Sequence, residues 1–173
     1  QLDKDQEALD AFLKENVWPN VLKFDSLAQR FDWLFDNQFI EREFIAQYDL
    51  SFIEKLYAYL EGEHFNFKSF MAAFKFYNQY ALKTNDGQYY VETYVDRVAM
   101  NALYYANGQE SLALKLADEM IHQRYQPATP SFLNAGRARR GELVSCFIIQ
   151  TSDDMNSIGR TINSALQLSK MGD

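Results

Sequence analysis

The sequence predicts a mainly α-helical protein that changes character towards its C-terminal end, and three observations carry that reading. From Asp3 to His122, apolar residues recur at helical spacing in segments broken by turn residues. The stretch Gln126 to Gln150 then concentrates two of the three prolines, two of the seven glycines and the only cysteine. Within it, Leu143 to Ile149 is a nearly all-apolar run, β-branched at Val144, Ile148 and Ile149, as in a strand covered on both faces. The expected organisation is a helical domain, residues 1–125, followed by loop, strand and helix in residues 126–173. One strand and one helix cannot close a parallel sheet, so the second part reads as the opening of a larger α/β unit.

The first expected helix is Asp3 to Glu15, with Ala8, Leu9, Phe12 and Leu13 on its apolar side and Pro19 after it. Asp25 or Ser26 can cap a second, carrying Leu27, Phe31 and Leu34. Glu41 to Tyr48 is a shorter candidate. Ser51 followed by Glu54 has the form of a capping box, and Ile53, Leu56 and Leu60 follow it. Lys68 to Leu82 is the most aromatic helix, with Phe70, Phe74 and Tyr77 as its stripe, and Asn85-Asp86-Gly87 is a strong turn signal. Val91 to Ala106 and Gln109 to His122 form a helical hairpin broken at Asn107-Gly108, with Leu112, Leu116 and Met120 facing inward. Ser152 or Asp153 opens a last helix with Ile158, Ile162 and Leu166 as its stripe.

Composition narrows the function classes. With 173 residues, 47% of them hydrophobic, the chain can bury a sizeable core, and 14 Phe and 11 Tyr should dominate its packing. A net charge of −7 argues against general nucleic-acid binding but leaves room for a phosphorylated small molecule held by local groups. The apolar runs are far shorter than a membrane span, and a single Cys fits a reducing cytosol. His64 and His122 stand apart in sequence and are read as helix-end or surface residues, with no metal site expected.

In the Gln126 to Gln150 stretch, Pro127 and Pro130 bias the residues before them towards extended geometry. Gly136 and Gly141 bracket Arg137, Arg139 and Arg140, which read as a solvated loop rather than a phosphate clamp. Period-two alternation puts Val144, Cys146 and Ile148 on one face of the strand, opposite Leu143, Ser145 and Phe147. On the residues alone, Cys146 reads as a small buried hydrophobe and Thr129 as a loop residue before proline. Asp153-Asp154-Met155 reads as a cap with dipole compensation.

Thr129-Pro-Ser-Phe-Leu-Asn-Ala-Gly136, followed by Arg139-Arg-Gly-Glu-Leu-Val-Ser-Cys146, resembles the large (α) subunit of class I ribonucleotide reductase, most closely class Ib. The segments Phe70 to Asp86 and Gln167-Leu-Ser-Lys170 agree with it in order. The family's glycine run after the latter is represented only by Gly172. The resemblance implies an N-terminal helical domain and the first strand and helix of a ten-stranded α/β barrel, in a chain that is the front part of a longer subunit. It makes Cys146 one of a reducing cysteine pair, and Thr129, Ser145 and Cys146 contacts to a ribonucleoside diphosphate. By alternation the Ser145 side chain points away from Cys146, so its backbone should matter more than its hydroxyl. Asp153, Asp154 and Met155 become part of a site for a deoxynucleotide or ATP effector. The implied partners are a radical-generating, metal-bearing β subunit, a thioredoxin- or glutaredoxin-like reductant and a second α subunit. No cofactor is expected on this segment itself, and no large ATP-binding module precedes its helices in this reading. A helical interaction module with an incidental cysteine is the alternative; a thiol-nucleophile enzyme lacks any Cys/His/Asn arrangement.

Overall fold

The structure is a computed structural model and describes residues 2–138. Among these residues it is mainly helical, as expected; the strand Leu143 to Ile149 and the helix expected after Ser152 lie outside them. α1 (Leu2–Phe12) buries Leu9 and runs into a π-helical turn, Leu13–Val17, and a 3-10 turn, Trp18–Asn20. Val17 on the π turn is fully buried, whereas Ala8, assigned to the apolar side from spacing, is exposed. Pro19 sits at the start of the 3-10 turn, where its missing N–H leaves no bond unmade.

α2 (Leu27–Asp36) is capped by Ser26, whose Oγ accepts from the Gln29 N–H at 3.1 Å. Gln29 Oε1 in turn accepts from the Asp25 N–H at 3.1 Å, so the first turn is closed from both sides. α3 (Arg42–Ile45) is shorter than expected, because Tyr48 turns away to donate its hydroxyl to the Leu103 carbonyl at 2.7 Å. α4 (Leu50–Gly62) starts earlier than the Ser51 cap anticipated. The Asp49 carbonyl accepts from the N–H groups of Phe52 and Ile53, which puts Ser51 inside the first turn and leaves no capping box there. Ile53, Leu56 and Leu60 are buried as their spacing requires.

α5 (Phe70–Lys75), capped by Ser69, gives way to a second π turn, Phe76–Tyr80. The expected Phe70–Phe74–Tyr77 stripe does not survive it. A π turn holds more residues than an α turn, so the 3.6-residue period breaks: Phe76 and Tyr77 go into the core, and Phe74 remains 39% exposed. Phe74 lies against Phe12 and Phe70, with centroids 5.6 and 5.5 Å away. Asn85-Asp86-Gly87 makes the expected turn, with Gly87 at φ +74° and its N–H donating to the Thr84 carbonyl at 2.8 Å.

α6 (Tyr94–Ala106) begins later than its expected start at Val91, because Thr93 and Asp96 form a capping box. It is buried around most of its circumference and packs against α3, α4, α7 (Glu110–Ile121) and α8 (Thr129–Asn134). The α6–α7 break falls at Asn107-Gly108 as expected, with both residues in left-handed geometry. Leu116 and Met120 are buried, while Leu112 is only partly so. Around the start of α6, rings of Phe65, Phe67, Phe76 and Phe132 surround Tyr94, with Phe65 stacked on it at 4.4 Å, and the Tyr94 N–H donates to the Tyr77 hydroxyl at 3.2 Å.

α8 was not anticipated. The pre-proline bias predicted extended chain at Thr129, but Pro130 occupies the first turn of a helix, where no N–H partner is needed. After α8 the chain reverses at Gly136, φ +74°, and Arg137 pairs with Ile40 in an isolated antiparallel bridge. A Cβ on Gly136 would stand 2.5 Å from the Phe44 ring. Gly136→Ala is therefore expected to cost about 2–5 kcal/mol, combining left-handed strain of about 1–2 with overpacking of about 1–3. Urea unfolding of the wild type, Phe44→Ala, Gly136→Ala and the double variant checks this. In the Phe44→Ala background the clash should disappear and leave only the backbone cost.

Candidate functional site

Thr129 is the candidate residue that the structure places. It opens α8 and is exposed, while Pro130 to Leu133 behind it are buried. Ser145, Cys146, Asp153, Asp154 and Met155 lie outside the described residues, as do Arg139 and Arg140. The described part of the motif is the segment that precedes Cys146 in sequence.

A six-residue helix cannot close its own hydrogen bonds, since its last carbonyls have no partners within it. Here every carbonyl from Pro130 to Gly136 accepts a bond. Asn134 Nδ2 serves Pro130 at 2.9 Å, the Arg137 N–H serves Asn134 at 3.0 Å and the Glu41 N–H serves Gly136 at 2.8 Å. The other four are served by side chains of α6. Tyr105 donates its hydroxyl to the Ser131 carbonyl at 2.9 Å, and Asn101 Nδ2 donates to Phe132 at 2.8 Å. Arg97 reaches Leu133 with Nη1 at 2.5 Å and Ala135 with Nη2 at 2.6 Å. Residues 97, 101 and 105 recur four apart and therefore share one face of the helix. Burial pushes the Tyr105 phenol well up, so it remains a donor.

Charge balance behind this ladder comes from Glu92, 2% exposed. Its Oε1 accepts from Arg137 Nη2 at 2.5 Å and from the Leu82 N–H at 3.3 Å, and its Oε2 lies 3.4 Å from Arg97 Nε. Arg137 also donates to the Tyr80 carbonyl at 2.9 Å. Arg137 is 5% exposed, which corrects the reading of it as part of a solvated loop: a partner distant in sequence neutralises it. Burial pushes the Glu92 carboxyl up, but the two guanidiniums and the donated bonds outweigh burial and hold it below the ordinary value of 4.5. Burial likewise draws Arg97 down to about 10, with Glu92 opposing, so it stays charged at neutral pH.

His122 sits at the end of α7 and His64 just beyond α4, as expected. The fold nevertheless brings His122 next to Glu63 and Asp118: Nε2 is 3.3 Å from one carboxylate and Nδ1 is 3.2 Å from the other. This is the group of possible metal ligands among the described residues. Asp118 is already engaged by Tyr59 and Arg124, and the cluster lies at the surface.

Sequence reasoning missed Glu92, Arg97, Asn101 and Tyr105. The available signal was Arg97, Asn101 and Tyr105 at four-residue spacing within a helix otherwise filled by Val98, Ala99, Met100, Ala102 and Leu103. Glu92→Gln should cost about 3–5 kcal/mol, because it leaves two buried guanidiniums short of countercharge. Since folding depresses the Glu92 pKa, its contribution is complete above 4.5 and is lost as pH falls through the lower folded value. Urea unfolding from pH 7 to pH 3 should therefore show a shallower acid slope in Glu92→Gln than in wild type.

Comparison with known proteins agrees with this segment's motif. Residues 1–65 match the family model "Ribonucleotide reductase N-terminal", and residues 66–140 match "Ribonucleotide reductase, all-alpha domain". The chain is 46% identical over 172 residues to the ribonucleoside-diphosphate reductase subunit alpha of Bacillus subtilis (strain 168), covering 99% of this chain and 25% of that protein. It is 45% identical over 172 residues to the NrdEB subunit alpha of the same organism, covering 99% of this chain and 16% of that protein. It is 47% identical over 166 residues to the subunit alpha of Mycoplasma pneumoniae, covering 96% of this chain and 23% of that protein. The chain thus spans a quarter or less of the length of these relatives. With both family models matching in succession over residues 1–140, the chain belongs to the ribonucleotide reductase large (alpha) subunit family and corresponds to its N-terminal portion.

Proposed function

We propose that this chain is the N-terminal portion of a class Ib ribonucleoside-diphosphate reductase α subunit, acting in the cytoplasm to make deoxyribonucleotides for DNA synthesis. The observation that carries the reading is the near-complete, collinear match of the chain to subunits of that name. In the proposed reaction, a ribonucleoside diphosphate and two thiols give the 2′-deoxyribonucleoside diphosphate, a disulfide and water. Cys146 is one of the two thiols, and its partner lies beyond this sequence. The substrate is activated by a thiyl radical on another cysteine, itself generated by a separate metal-bearing β subunit. A thioredoxin- or glutaredoxin-like protein then reduces the disulfide by thiol exchange.

Residues 126–173 would begin the ten-stranded catalytic barrel, with residues 1–125 as the helical domain beside it. Thr129 and the backbone at Ser145 would contact the diphosphate, where a hydroxyl and amides can bind phosphate oxygens without net positive charge. The exposure of Thr129, just ahead of carbonyls that are all bonded, supports that role, since among the described residues its side chain stands open to solvent. Asp153, Asp154 and Met155 would help bind a deoxynucleotide or ATP effector near an interface with a second α subunit. No helix among the described residues is long and apolar enough to cross a membrane.

The test is Cys146→Ser in the complete subunit. Turnover sustained by thioredoxin should be abolished, because a hydroxyl cannot enter the disulfide that supplies two electrons. Binding of a nucleoside diphosphate should survive. Near-normal multiple turnover in a folded variant would reduce Cys146 to a packing residue and remove the proposed role of its strand. In the same subunit, Asp153→Ala should weaken effector-dependent choice among substrates more than it lowers basal turnover.

A further inference from the structure

The α6 ladder does more than complete backbone hydrogen bonding. Among the described residues no side-chain hydrogen bond fixes Thr129, and α8 is too short to hold its own shape. What sets the position of Thr129 is the other end of α8, where Tyr105, Asn101 and Arg97 hold the carbonyls of Ser131, Phe132, Leu133 and Ala135. These three side chains are buried or half-buried, and they come from a helix whose other faces are packed against α3, α4 and α7. The ladder is therefore a rigid support behind an exposed hydroxyl.

We propose that Tyr105, Asn101 and Arg97 are positioning residues for substrate binding, fixing where Thr129 presents its hydroxyl to the diphosphate. This rests on the reading of Thr129 given under Proposed function. None of the three touches substrate; each acts through a carbonyl of α8. Releasing one carbonyl lets the end of α8 shift, so the energy of one hydrogen bond is lost from substrate affinity rather than from the chemical step. The signature is a raised Kd and KM at nearly constant kcat.

The experiment uses the complete subunit, with cytidine diphosphate as probe. Equilibrium binding, kcat and KM, and thermal midpoint are measured for wild type, Tyr105→Phe, Asn101→Ala and Arg97→Lys. Tyr59→Phe is the control, because it also removes a hydroxyl bond, to Asp118, and that bond joins α4 to α7 without involving α8. Tyr105→Phe should weaken binding about threefold to tenfold, the worth of one net hydrogen bond, with kcat little changed. Tyr59→Phe should lower the thermal midpoint without altering Kd. If Arg97→Lys fails to fold, Tyr105→Phe and Asn101→Ala still decide. Wild-type Kd in both of those folded variants would overturn the positioning role while leaving the function intact. A complete wild-type subunit that does not bind the nucleotide would instead reject the functional reading itself.

Discussion

A single buried carboxylate governs how the 126–138 segment meets α6. Glu92 lies just ahead of α6 and neutralises Arg97 on that helix and Arg137 at the end of the α8 segment. Removing either arginine's charge from water is costly, and such pairs contribute less net stability than their contacts suggest. Their value here is specificity. An apolar contact would tolerate several arrangements of the 126–138 segment, whereas a carboxylate with two guanidiniums and one amide N–H on it accepts only one.

The same logic explains why α6 differs from its neighbours. α4 and α7 are amphipathic, with buried stripes such as Ile53, Leu56 and Leu60 or Leu116 and Met120. α6 is buried nearly all round, so a polar residue on it must find a partner inside the protein. Tyr94 meets the aromatic cluster at its start, Tyr48 donates to the Leu103 carbonyl near its end, and Arg97, Asn101 and Tyr105 meet α8. Asp96, in the capping box, also pairs with Arg30 at 3.4 Å, which ties α2 to the same helix. Most of the body is thereby referenced to one rod.

What could be read from the sequence was local. Ser26 and the Asn107-Gly108 break follow from side-chain and backbone preferences that act within a few residues. The buried stripes of α2 and α4 follow from helical periodicity, because a simple helix turns the same face to the core along its length. Phe74 and Val17 escaped because π turns alter that period, and π turns have no comparable sequence signal. Ser51 misled because its hydroxyl and Glu54 fit a cap, while the backbone had already entered the helix at Leu50. Arg137 escaped for another reason: it stands with Arg139 and Arg140 between two glycines, and its partner Glu92 is remote in sequence. Thr129 stands out in the sequence as a candidate through its motif, but the helix beneath it does not, because that helix is held by α6 rather than by its own residues.

α8 is an ordered segment built from weak local structure. α8 has no long run of helix formers, and it carries proline in its first turn. Packing alone, through Phe132 and Leu133, would bring it to the core without fixing its register. The donors on α6 supply the register, because they meet particular carbonyls in reverse chain order: Tyr105 the first, Asn101 the next and Arg97 the last two. A slip of one residue would take those carbonyls off their donors, and each buried acceptor left unpaired costs about 1–3 kcal/mol. Several such losses would consume much of the roughly 5–15 kcal/mol that keeps a typical domain folded. The helical body therefore fixes the residue-by-residue alignment of the segment that leads towards Cys146.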